Sequence, residues 1–589
     1  MCGLIGYVGD EQAAPILVGG LTRLEYRGYD SAGIATVNGR ICLAKDIGKL
    51  ENAMRNANFL SLQGQTGIGH VRWATHGGVT QRNAHPHCDT EQKIAVAHNG
   101  IIQNYKELKA WLSSKYNFQS ETDTEVIPHL IRHFLDSGLS FEAAFFAAVK
   151  ELKGSYAILA INKDEPNKII AARNESPLVV GVGTKANYIG SDVLSFLPYT
   201  KKIISLNDGD VVILTKDSIK IYDINHKEII KQIESVDANW HASDKGIYDH
   251  FMKKEIEEQP YALQQSLLQD SSTLMQIASE IKNAHRVVFI GCGTSRHAAL
   301  LGEYAFSKIG FASSDVIMGS ESTYFSDSMN SKTMVIAISQ SGETADVLAG
   351  VRAAKKNGAK VLSIVNVVGS SLARESDRVL LLNCGPEIGV AATKSFIAQL
   401  SILYQLAFAM DNRLSEGQQK IETIINLLKS DINYLNKIIP TIAIKMKGER
   451  DFYFLARGVN FAVAAEGALK VKEISYVHAE GMPAGELKHG TLALIEDGTP
   501  VIAICPNDYT FDDSINNIME AKARGAFVIG VSDISNPAFD DHICISKTDE
   551  IVYPFLTVVP LQLFAYYSAI VRGLDPDKPR NLAKSVTVK

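Results

Sequence analysis

Cysteine is scarce in this chain, and none of it stands in the spacing that redox pairs use. Seven cysteines are spread over 589 residues, with no C-x-x-C pattern among them. An odd number of cysteines without such spacing is typical of reduced thiols in the cytosol, not of a disulfide framework. We therefore expect a cytoplasmic protein.

Excess positive charge and long apolar runs are also lacking. The net charge is -6, which argues against a nucleic-acid-binding role driven by attraction to phosphates. The sequence shows no apolar run that we judge long enough for a membrane span, and no charged-then-apolar leader precedes Cys2. We expect neither nucleic acid nor a membrane as a partner.

The composition is otherwise that of an ordinary globular protein. Hydrophobic residues make up 46% and charged residues 21% of the chain. A single core stops growing well below 589 residues, so the length predicts three or more domains.

The second residue carries the first chemical signal. If Met1 is removed, Cys2 holds a thiol and a free α-amine on one residue. The thiol must become a thiolate to attack, and an α-amine with a pKa near ~7.7–8.0 can act as the base. One residue can then supply nucleophile and base together.

The first part of the chain alternates short strands with helices. Apolar runs predict buried strands at residues 34–37, 94–97 and 156–161, and helical patterns cover residues 105–115 and 125–136. Because these elements lack a βαβ rhythm, they predict a layered α+β fold.

Polar clusters interrupt this pattern. Taken alone, Asn99-Gly100 between apolar runs is first a turn signal. Together with Cys2, however, the clusters resemble the glutaminase domain of N-terminal-nucleophile amidotransferases, which implies a four-layer αββα fold over residues 2–240. The matching motifs are C-G-L-I-G at 2–6, Y-R-G-Y-D-S-A-G at 26–33, R-W-A-T-H at 72–76, N-A-H-P-H at 83–87, H-N-G at 98–100 and E-T-D-T at 121–124.

That resemblance implies a role for each matching residue. Cys2 would attack the side-chain amide of glutamine, and the Asn99 amide with the Gly100 N–H would form the oxyanion hole. Arg72 would bind the α-carboxylate of glutamine through two hydrogen bonds, and Asp123 would bind its α-ammonium group. The glutamine pocket and its closing loop would contain Trp73, Thr75, His76 and His85, and the channel by which ammonia leaves would contain Arg27 and Trp73. For His76 and His85 a purely structural role stays open.

The second half contains an internal repeat. Similar strand–loop–helix blocks recur at nearly constant separation, from 289 to 454, from 339 to 505 and from 358 to 525. The spacing predicts a duplicated α/β domain with a parallel sheet in each copy.

Two loops of the first copy are rich in small and hydroxyl-bearing residues. They read G-C-G-T-S at 291–295 and S-Q-S-G-E-T at 339–344, each after a predicted strand and before a helix. Backbone N–H groups and the helix dipole favour an anion at such a place, so the pair predicts a phosphate site. The alternative is that the hydroxyls only cap the helices. A dinucleotide loop is excluded because Arg296 stands where the third glycine belongs.

Both copies resemble sugar-isomerase (SIS) domains. We expect a linker with a helical connection at 241–284, SIS domains at 285–425 and 450–572, and a C-terminal tail at 573–589 that enters the active site. The matching motifs are C-G-T-S at 292–295, S-Q-S-G-E-T at 339–344, E-I-G-V-A at 387–391, E-G-A-L-K-V-K-E-I-S at 466–475, A-G-E-L-K-H-G at 484–490 and P-R-N-L-A-K-S-V-T-V at 579–588.

The SIS resemblance also implies roles. Glu473, assisted by Lys470, would move a proton between C1 and C2 of the sugar, His489 would open the ring, and Lys584 would meet the carbonyl. In such domains the equivalent histidine belongs to the partner subunit's site, which implies a homodimer. The sugar phosphate would be bound by Thr294, Ser295, Ser339, Gln340, Ser341, Thr344 and Val390.

Some alternatives and one departure remain. Lys470 could instead form a surface ion pair with Glu466, and the tail could be a disordered C-terminus. Ala392 stands where serine is usual, which puts a sugar contact by that side chain in doubt.

Over its whole length the chain is similar to the family of glutamine-dependent enzymes that convert fructose 6-phosphate into glucosamine 6-phosphate and glutamate, the first step of hexosamine synthesis. The resemblance implies two small-molecule substrates, no cofactor and no metal. The alternatives are another amidotransferase with the same first domain, a SIS-domain deglycase and a SIS-domain regulator.

Overall fold

The chain divides into two units in the computed structural model, which describes residues 2–74, 76–235 and 245–587. The first unit holds the residues up to 241 together with those from 585 onward, and the second holds 242–584.

The first unit is built from antiparallel strands and five helices in its described residues. The strands are β1 (Gly3–Gly9), β2 (Ser31–Val37), β3 (Ile41–Ile47), β4 (Thr66–Arg72), β5 (His87–Cys88), β6 (Ile94–Ile102), β7 (Gly154–Asn162), β8 (Ile169–Asn174), β9 (Val179–Val182), β10 (Ala186–Gly190), β11 (Lys202–Ser205), β12 (Val211–Leu214), β13 (Ile219–Tyr222) and β14 (Glu234–Ser235). The helices are α1 (Ala13–Leu24), α2 (Leu50–Ala57), α3 (Tyr105–Leu112), α4 (Val126–Asp136) and α5 (Phe141–Glu151).

These strands form two sheets that pack face to face. One has the order β14-β11-β9-β10-β1-β4-β2-β3 and the other β13-β12-β8-β7-β6-β5. Alternate residues of each strand face opposite sides. In β1, Leu4 packs between the sheets, whereas Ile5 faces α1; in β7, Leu159 faces the other sheet and Ile158 faces the helices. The result is the predicted four-layer αββα arrangement.

The second unit contains parallel strands and longer helices. The strands are β15 (Arg286–Gly291), β16 (Asp315–Met318), β17 (Thr333–Ser339), β18 (Lys360–Val365), β19 (Arg378–Leu381), β20 (Asp451–Ala456), β21 (His478–Pro483), β22 (Pro500–Ile504), β23 (Phe527–Ser532) and β24 (Asp541–Cys544). The helices are α6 (Phe251–Glu257), α7 (Gln259–Ser266), α8 (Ser271–Asn283), α9 (Gly293–Lys308), α10 (Ala345–Lys356), α11 (Ser371–Glu375), α12 (Lys394–Met410), α13 (Leu414–Lys445), α14 (Asn460–Ser475), α15 (Phe511–Lys522) and α16 (Tyr553–Val571).

The two parallel sheets have the same topology. Their orders are β16-β15-β17-β18-β19 and β21-β20-β22-β23-β24. In each sheet the first strand is flanked by the second and the third, so the direction of winding reverses beside it. This repeat confirms the predicted duplication, and the reversal is the place where open α/β sheets bind ligands.

A shared hydrophobic core joins the two copies. It contains residues from both sheets, such as Phe289 and Phe454, and from the buried helices α12 and α16. The segment Glu550–Val571 is long and apolar enough to span a membrane by length and composition, which contradicts the expectation that no such run exists, but 83% of its apolar 18-residue window is buried inside the protein. Burial on all sides explains the lack of polar residues in a core helix.

Most predicted elements are found within a few residues of their expected ends. The strands predicted at 34–37, 94–97 and 156–161 lie inside β2, β6 and β7, and the two predicted helices correspond to α3 and α4. Asn99-Gly100 is not a turn, because both residues lie within β6. All seven cysteines are free thiols, as their spacing indicates.

Candidate functional site

Most of the residues predicted to act on glutamine line one small pocket of the first unit, here called the Cys2 pocket. Thr75 lies outside the described residues. Three lining residues, His98, Thr122 and Thr124, were quoted within motifs but given no role by the sequence. The pocket is lined by Cys2, Arg72, Trp73, His76, His85, His98, Gly100, Thr122, Asp123 and Thr124.

Strand pairing brings these residues together. Cys2 directly precedes β1, which pairs with β4 so that Gly3 lies opposite Val71, next to Arg72. β1 and β4 thus form two sides of the pocket, and β6 of the other sheet forms the third. Asn99 on β6 donates from Nδ2 to the Cys2 carbonyl at 2.9 Å. The site therefore lies where the ends of two strands in one sheet meet the middle of a strand in the other.

Gly100 is required by its backbone. Its φ is +123°, and a Cβ at this position would lie 2.1 Å from the Ser155 carbonyl oxygen on the paired strand β7. No L-residue with a side chain fits such a conformation and approach. The N-G pair thus marks a strained strand position beside Cys2, not a hairpin.

The Cys2 thiol is held against the Trp73 backbone. Cys2 Sγ donates to Trp73 O at 3.5 Å, and the Trp73 N–H lies 3.4 Å from Sγ. Burial raises the pKa of the Cys2 thiol, although the Trp73 N–H and the charge of Arg72 oppose the shift. Forming the thiolate therefore needs a base close to the sulfur.

Arg72 organises the loop that follows it. Its guanidinium donates to the carbonyl oxygens of His76, Gly77 and Gly78 at 2.5, 3.2 and 3.2 Å. Asp123 accepts from the Ile102 N–H at 2.7 Å, which ties it to the end of β6. A cation and a carboxylate thus lie on the same pocket, as recognition of a zwitterionic amino acid requires.

Four buried imidazoles form a group here called the histidine column (His70, His85, His87 and His98), and two of them, His85 and His98, line the pocket. The rings of His70 and His85 stack with centroids 4.2 Å apart, and His85 meets His87 edge-on at 4.7 Å. Burial lowers the pKa of His70 to about 3, and it lowers the pKa of the other three as well. All four rings are therefore neutral near pH 7.

Two threonines, Thr122 and Thr124, connect the column to the pocket, and Thr122 Oγ1 lies 3.1 Å from His87 Nε2. His98 Nδ1 lies 2.9 Å from Thr124 Oγ1, which also lies 3.4 Å from His85 Nε2. His98 Nε2 is buried and has no hydrogen-bond partner within the described residues. His85 thus has structural contacts in the column and also lines the pocket, so its two predicted alternatives are compatible.

Arg27, predicted at the channel, does not line the Cys2 pocket. It is buried and forms an ion pair with Asp192 at 2.5 Å, and its Nε donates to the Tyr26 hydroxyl at 3.1 Å. Tyr26 in turn donates to the same Asp192 oxygen at 2.8 Å.

The second candidate site lies at the carboxyl ends of β15 and β17, where the winding of the sheet reverses. Ser339 Oγ accepts from the Gly342 N–H at 3.0 Å and lies 3.2 Å from Thr344 Oγ1. From the neighbouring loop, Ser295 Oγ accepts from Gln399 Nε2 at 3.1 Å. Several hydroxyl groups and the start of α10 are thus gathered at one edge.

The capping alternative is wrong for these loops. The residues that precede α9 and α10 are Cys292 and Thr344, and neither makes a side-chain hydrogen bond to its helix. Gly342 has φ +65°, and a Cβ there would lie 2.1 Å from Ser370 Oγ. The turn after Ser339 is therefore shaped by backbone geometry, which leaves the Thr344 hydroxyl uncommitted to helix capping.

Lys470 lies in a buried network that joins the two SIS copies. Its Nζ is 2.6 Å from Glu473 Oε2 and 3.3 Å from Glu466 Oε1, and it donates to Thr294 Oγ1 at 3.0 Å. Glu466 also accepts from Thr294 at 3.0 Å and pairs with His297 Nδ1 at 2.8 Å. The pair with Glu466 exists, but both side chains are fully buried, so the surface interpretation is wrong.

The carboxylates fix the charge of this lysine. Burial alone would lower the pKa of Lys470, but Glu466 and Glu473 raise it above its ordinary value. Lys470 therefore stays a cation at neutral pH, which suits an electrostatic partner for negative charge. Neither Glu466 nor His297 was assigned this role from the sequence, because only the folded chain brings α9 beside α14.

Lys584 is held within the second unit by the segment before α12. Its Nζ donates to Glu387 Oε2 at 2.6 Å and to the Gly389 carbonyl at 2.8 Å. The tail up to this residue is ordered, contrary to the alternative of a disordered C-terminus. The neighbouring Val390 N–H donates to the Asp577 carbonyl at 3.3 Å.

His489 lies apart from these residues. It ends the short helix Ala484–His489 and is exposed, and no described hydrogen bond or ion pair links it to Lys470, Glu473 or Lys584.

Three other predicted positions lie near the first SIS copy's loops. Ala392 is half-buried, and Gln340 and Ser341 lie in the turn after β17. Among the described residues, no cluster of three or more His, Cys, Asp or Glu could hold a metal ion.

The equivalent edge of the second copy has a different character. In the loop after β22, the Asp508 carboxylate accepts from the Thr510 N–H at 2.8 Å and from Asn460 Nδ2 at 2.8 Å. A fixed carboxylate thus stands at the edge where the first copy carries hydroxyls, and it disfavours a phosphate there.

Comparison with known proteins gives a consistent picture. The SIS domain family matches residues 280–409 and 445–572, and the glutamine amidotransferase domain family matches 70–198. A glutamine–fructose-6-phosphate aminotransferase (isomerizing) of Thermococcus kodakarensis is 46% identical over 603 residues, covering 100% of both chains. The enzyme of the same name from Methanothermobacter thermautotrophicus is 46% identical over 597 residues, again with 100% of both chains covered.

A solved structure matches the second unit. The C-terminal domain of glucosamine-fructose-6-phosphate aminotransferase from Francisella tularensis is 32% identical, with a TM-score of 0.52. The match covers 57% of this chain and 100% of that one.

Proposed function

This chain belongs to the family of isomerizing glutamine–fructose-6-phosphate aminotransferases, and on that premise we propose that it transfers the amide nitrogen of glutamine to D-fructose 6-phosphate. The products are D-glucosamine 6-phosphate and L-glutamate. The observation that carries the proposal is full-length similarity to enzymes of that name in a chain that has both the Cys2 pocket and the hydroxyl-rich edge after β15 and β17.

The first half-reaction releases ammonia at Cys2. The thiolate attacks the side-chain amide carbon of glutamine, and the resulting oxyanion receives hydrogen bonds from the Asn99 amide and the Gly100 N–H. On collapse the amide nitrogen takes a proton from the protonated α-amine of Cys2 and leaves as ammonia, and the remaining thioester is hydrolysed by water to glutamate. Arg72 holds the α-carboxylate and Asp123 the α-ammonium of glutamine, with Trp73, Thr75, His76 and His85 around them.

The amine of Cys2 is the base in this scheme. Because burial raises the pKa of the thiol, a base must take its proton at neutral pH. The α-amine freed by removal of Met1 is on the same residue and titrates near ~7.7–8.0.

The second half-reaction takes place on the sugar. The loops at 291–295 and 339–344 bind the phosphate, with Val390 contributing through its backbone. His489 of the partner subunit opens the ring. The Lys584 amine condenses with the C2 carbonyl and expels water, and ammonia then displaces the lysine amine to form the imine at C2. Glu473 then carries a proton from C1 to C2, and the permanently charged Lys470 stabilises the negative charge that develops on the sugar oxygen.

Further parts of the proposal concern the assembly. We expect a cytoplasmic homodimer, because the exposed position of His489 suits a residue that completes the site of a second copy. Ammonia passes through a shielded path in which Arg27 and Trp73 take part. In this proposal the glutaminase domain comprises residues 2–240, the two SIS domains comprise 285–425 and 450–572, and the tail 573–589 contributes to the sugar site.

The test is incubation of the full-length protein with fructose 6-phosphate and glutamine labelled with ¹⁵N in the amide. We expect ¹⁵N-glucosamine 6-phosphate and glutamate in equal amounts, even when unlabelled ammonium is present. Release of glutamate without labelled amino sugar would indicate another amidotransferase. A protein that forms no labelled amino sugar but consumes glucosamine 6-phosphate in a separate incubation would be a deglycase.

A further inference from the structure

The helix α6 carries a buried carboxyl group, that of Glu255, which contacts the same backbone segment as Lys584. Glu255 is only 2% exposed, and its Oε1 accepts from the backbone N–H groups of Ile388 and Gly389 at 2.5 and 3.1 Å. Nothing in the sequence motifs singled out this residue, because its partners are more than a hundred positions away.

The same backbone segment holds Lys584 from the other side. The Gly389 N–H points to Glu255, whereas the Gly389 carbonyl accepts from Lys584 Nζ at 2.8 Å. The adjacent Glu387 carboxylate accepts from Lys584 at 2.6 Å. The two peptide groups that flank the Gly389 Cα are thus tied, one to Glu255 and the next to the lysine, so that Glu255 fixes the backbone on which the lysine is held.

The approach of α6 to this segment is close. A Cβ at Gly389 would lie 2.8 Å from Glu255 Oε2 and 3.4 Å from the Met252 nitrogen. The start of α6 is anchored as well, because the Asp577 carboxylate accepts from the Phe251 and Met252 N–H groups at 2.7 and 2.8 Å. Since the Asp577 carbonyl accepts from Val390, the helix, the 387–390 segment and the tail form a closed ring of contacts.

The charges around Glu255 are unevenly shared. The charged groups that act on Glu255 are Glu387, Lys394 and Lys584, and Lys394 is itself paired with Glu258 at 2.7 Å. Burial, reinforced by the Glu387 carboxylate, raises the pKa of Glu255. Lys584 and Ser395 overcome burial and lower the pKa of Glu387. Glu387 therefore balances the charge of Lys584, and Glu255 acts on the backbone as a hydrogen-bond acceptor.

We propose that Glu255 is a positioning residue for Lys584: its carboxyl group holds the backbone of Ile388 and Gly389, whose next carbonyl binds the lysine, so that the lysine faces the sugar carbonyl. The inference rests on the proposed role of Lys584 in the second half-reaction. A displacement of about 1 Å in a reacting group can cost roughly 10²-fold in rate.

The test compares Glu255→Ala with Glu255→Gln in the full-length protein. Glutamine keeps a carbonyl acceptor for the two N–H groups, so we expect glucosamine 6-phosphate synthesis within about threefold of the parent. Alanine removes it, and we expect kcat to fall roughly 10- to 100-fold. The KM for fructose 6-phosphate should change little, and glutamine hydrolysis at Cys2 should be unchanged.

Two further variants guard against a general loss of folding. Gly389→Ala drives a methyl group into Glu255 and should reproduce the loss. Glu257→Ala is the matched control, because Glu257 lies on the same helix but contacts Asn436 and Lys253 instead, and it should leave synthesis intact.

A readout that needs no catalysis separates this inference from the proposed function. Acetylation of Lys584 by acetic anhydride, followed by peptide mass spectrometry, should be faster in Glu255→Ala and Gly389→Ala than in the parent or Glu255→Gln. Equal acetylation rates in all variants, or full synthesis by Glu255→Ala, would overturn the inference. A parent protein that makes no glucosamine 6-phosphate, but shows the expected acetylation pattern, would overturn only the proposed function.

Discussion

The ammonium nitrogen of Lys470 lies 2.6 Å from Glu473 Oε2, one turn along α14. The second carboxylate on this helix, Glu466, is fully buried on the other side of the lysine. Of the two acids, Glu473 alone is partly open, with 22% of its side chain exposed. Glu473 is therefore the acid that a substrate can contact, whereas Glu466 contacts the lysine from inside the protein.

Replacing Glu466 by glutamine should impair the sugar reaction and shift its pH dependence. Without this carboxylate Lys470 loses part of what raises its pKa, so its charge should be lost at lower pH than in the parent. We expect kcat for fructose 6-phosphate to fall roughly 10- to 100-fold. The alkaline limb of the pH–rate profile should also move to lower pH. Asp451→Asn, which breaks an exposed pair with His478, is the control and should leave the profile in place.

Cys2→Ala should abolish glutamine hydrolysis while sugar isomerisation persists. Loss of a nucleophile should lower glutamate release by roughly 10³-fold or more. Ammonium-dependent formation of glucosamine 6-phosphate should remain, because no residue of the sugar site is changed. Cys88→Ala is the matched control, since burial raises the pKa of that thiol to about 12 and it lies outside the Cys2 pocket. Loss of both activities in a folded Cys2→Ala protein would contradict independent half-reactions.

Thr344→Val should weaken binding of the phosphorylated substrate. A hydrogen bond to a charged group contributes about 1.5–3 kcal/mol, so the KM for fructose 6-phosphate should rise roughly 10- to 100-fold. Thr333→Val, at the opposite end of β17, should not have this effect. Isothermal titration with inorganic phosphate gives an independent measurement, and unchanged affinity in Thr344→Val would remove this loop from the phosphate site.

The histidine column should make the first unit sensitive to acid. Its rings are neutral in the folded protein because burial lowers their pKa, to about 3 for His70, while the unfolded chain takes up protons near pH 6.5. Stability should therefore be complete above pH 6.5 and decline as the pH falls from there toward 3, by roughly 1.4 kcal/mol per pH unit for each histidine.

Scanning calorimetry between pH 7 and pH 4 would measure this slope. His70→Gln keeps a donor for the His98 carbonyl and should make the slope shallower. His133→Gln, on α4 outside the column, should not. A slope that is the same in all three proteins would show that the acid sensitivity comes from other groups.

Residues that act through local pattern could be predicted from the sequence. The predicted parts of β2, β6 and β7, the two hydroxyl-rich loops and the duplicated sheets follow from period, turn chemistry and spacing. Asn99-Gly100 shows the limit, because a turn dipeptide occupies the middle of β6, where the approach of Ser155 leaves room only for glycine. Tertiary pairing overrode the local signal there.

The missed residues share one property, which is that their partners are distant in the chain. Glu466 meets Thr294 across 172 positions, and Glu255 meets Gly389 across 134. A buried carboxyl group looks like any helical surface acid until the fold supplies its donors. The long apolar segment 550–571 was misjudged for the related reason that complete burial removes amphipathic spacing.

Asp508 makes the two parallel sheets unequal where their winding reverses. The second sheet presents a fixed carboxylate there, whereas the first presents the hydroxyl groups of Ser339 and Thr344. Because like charges repel, we expect a phosphorylated ligand to bind at the first sheet only. The duplicated fold is therefore expected to give one anion site per chain, not two.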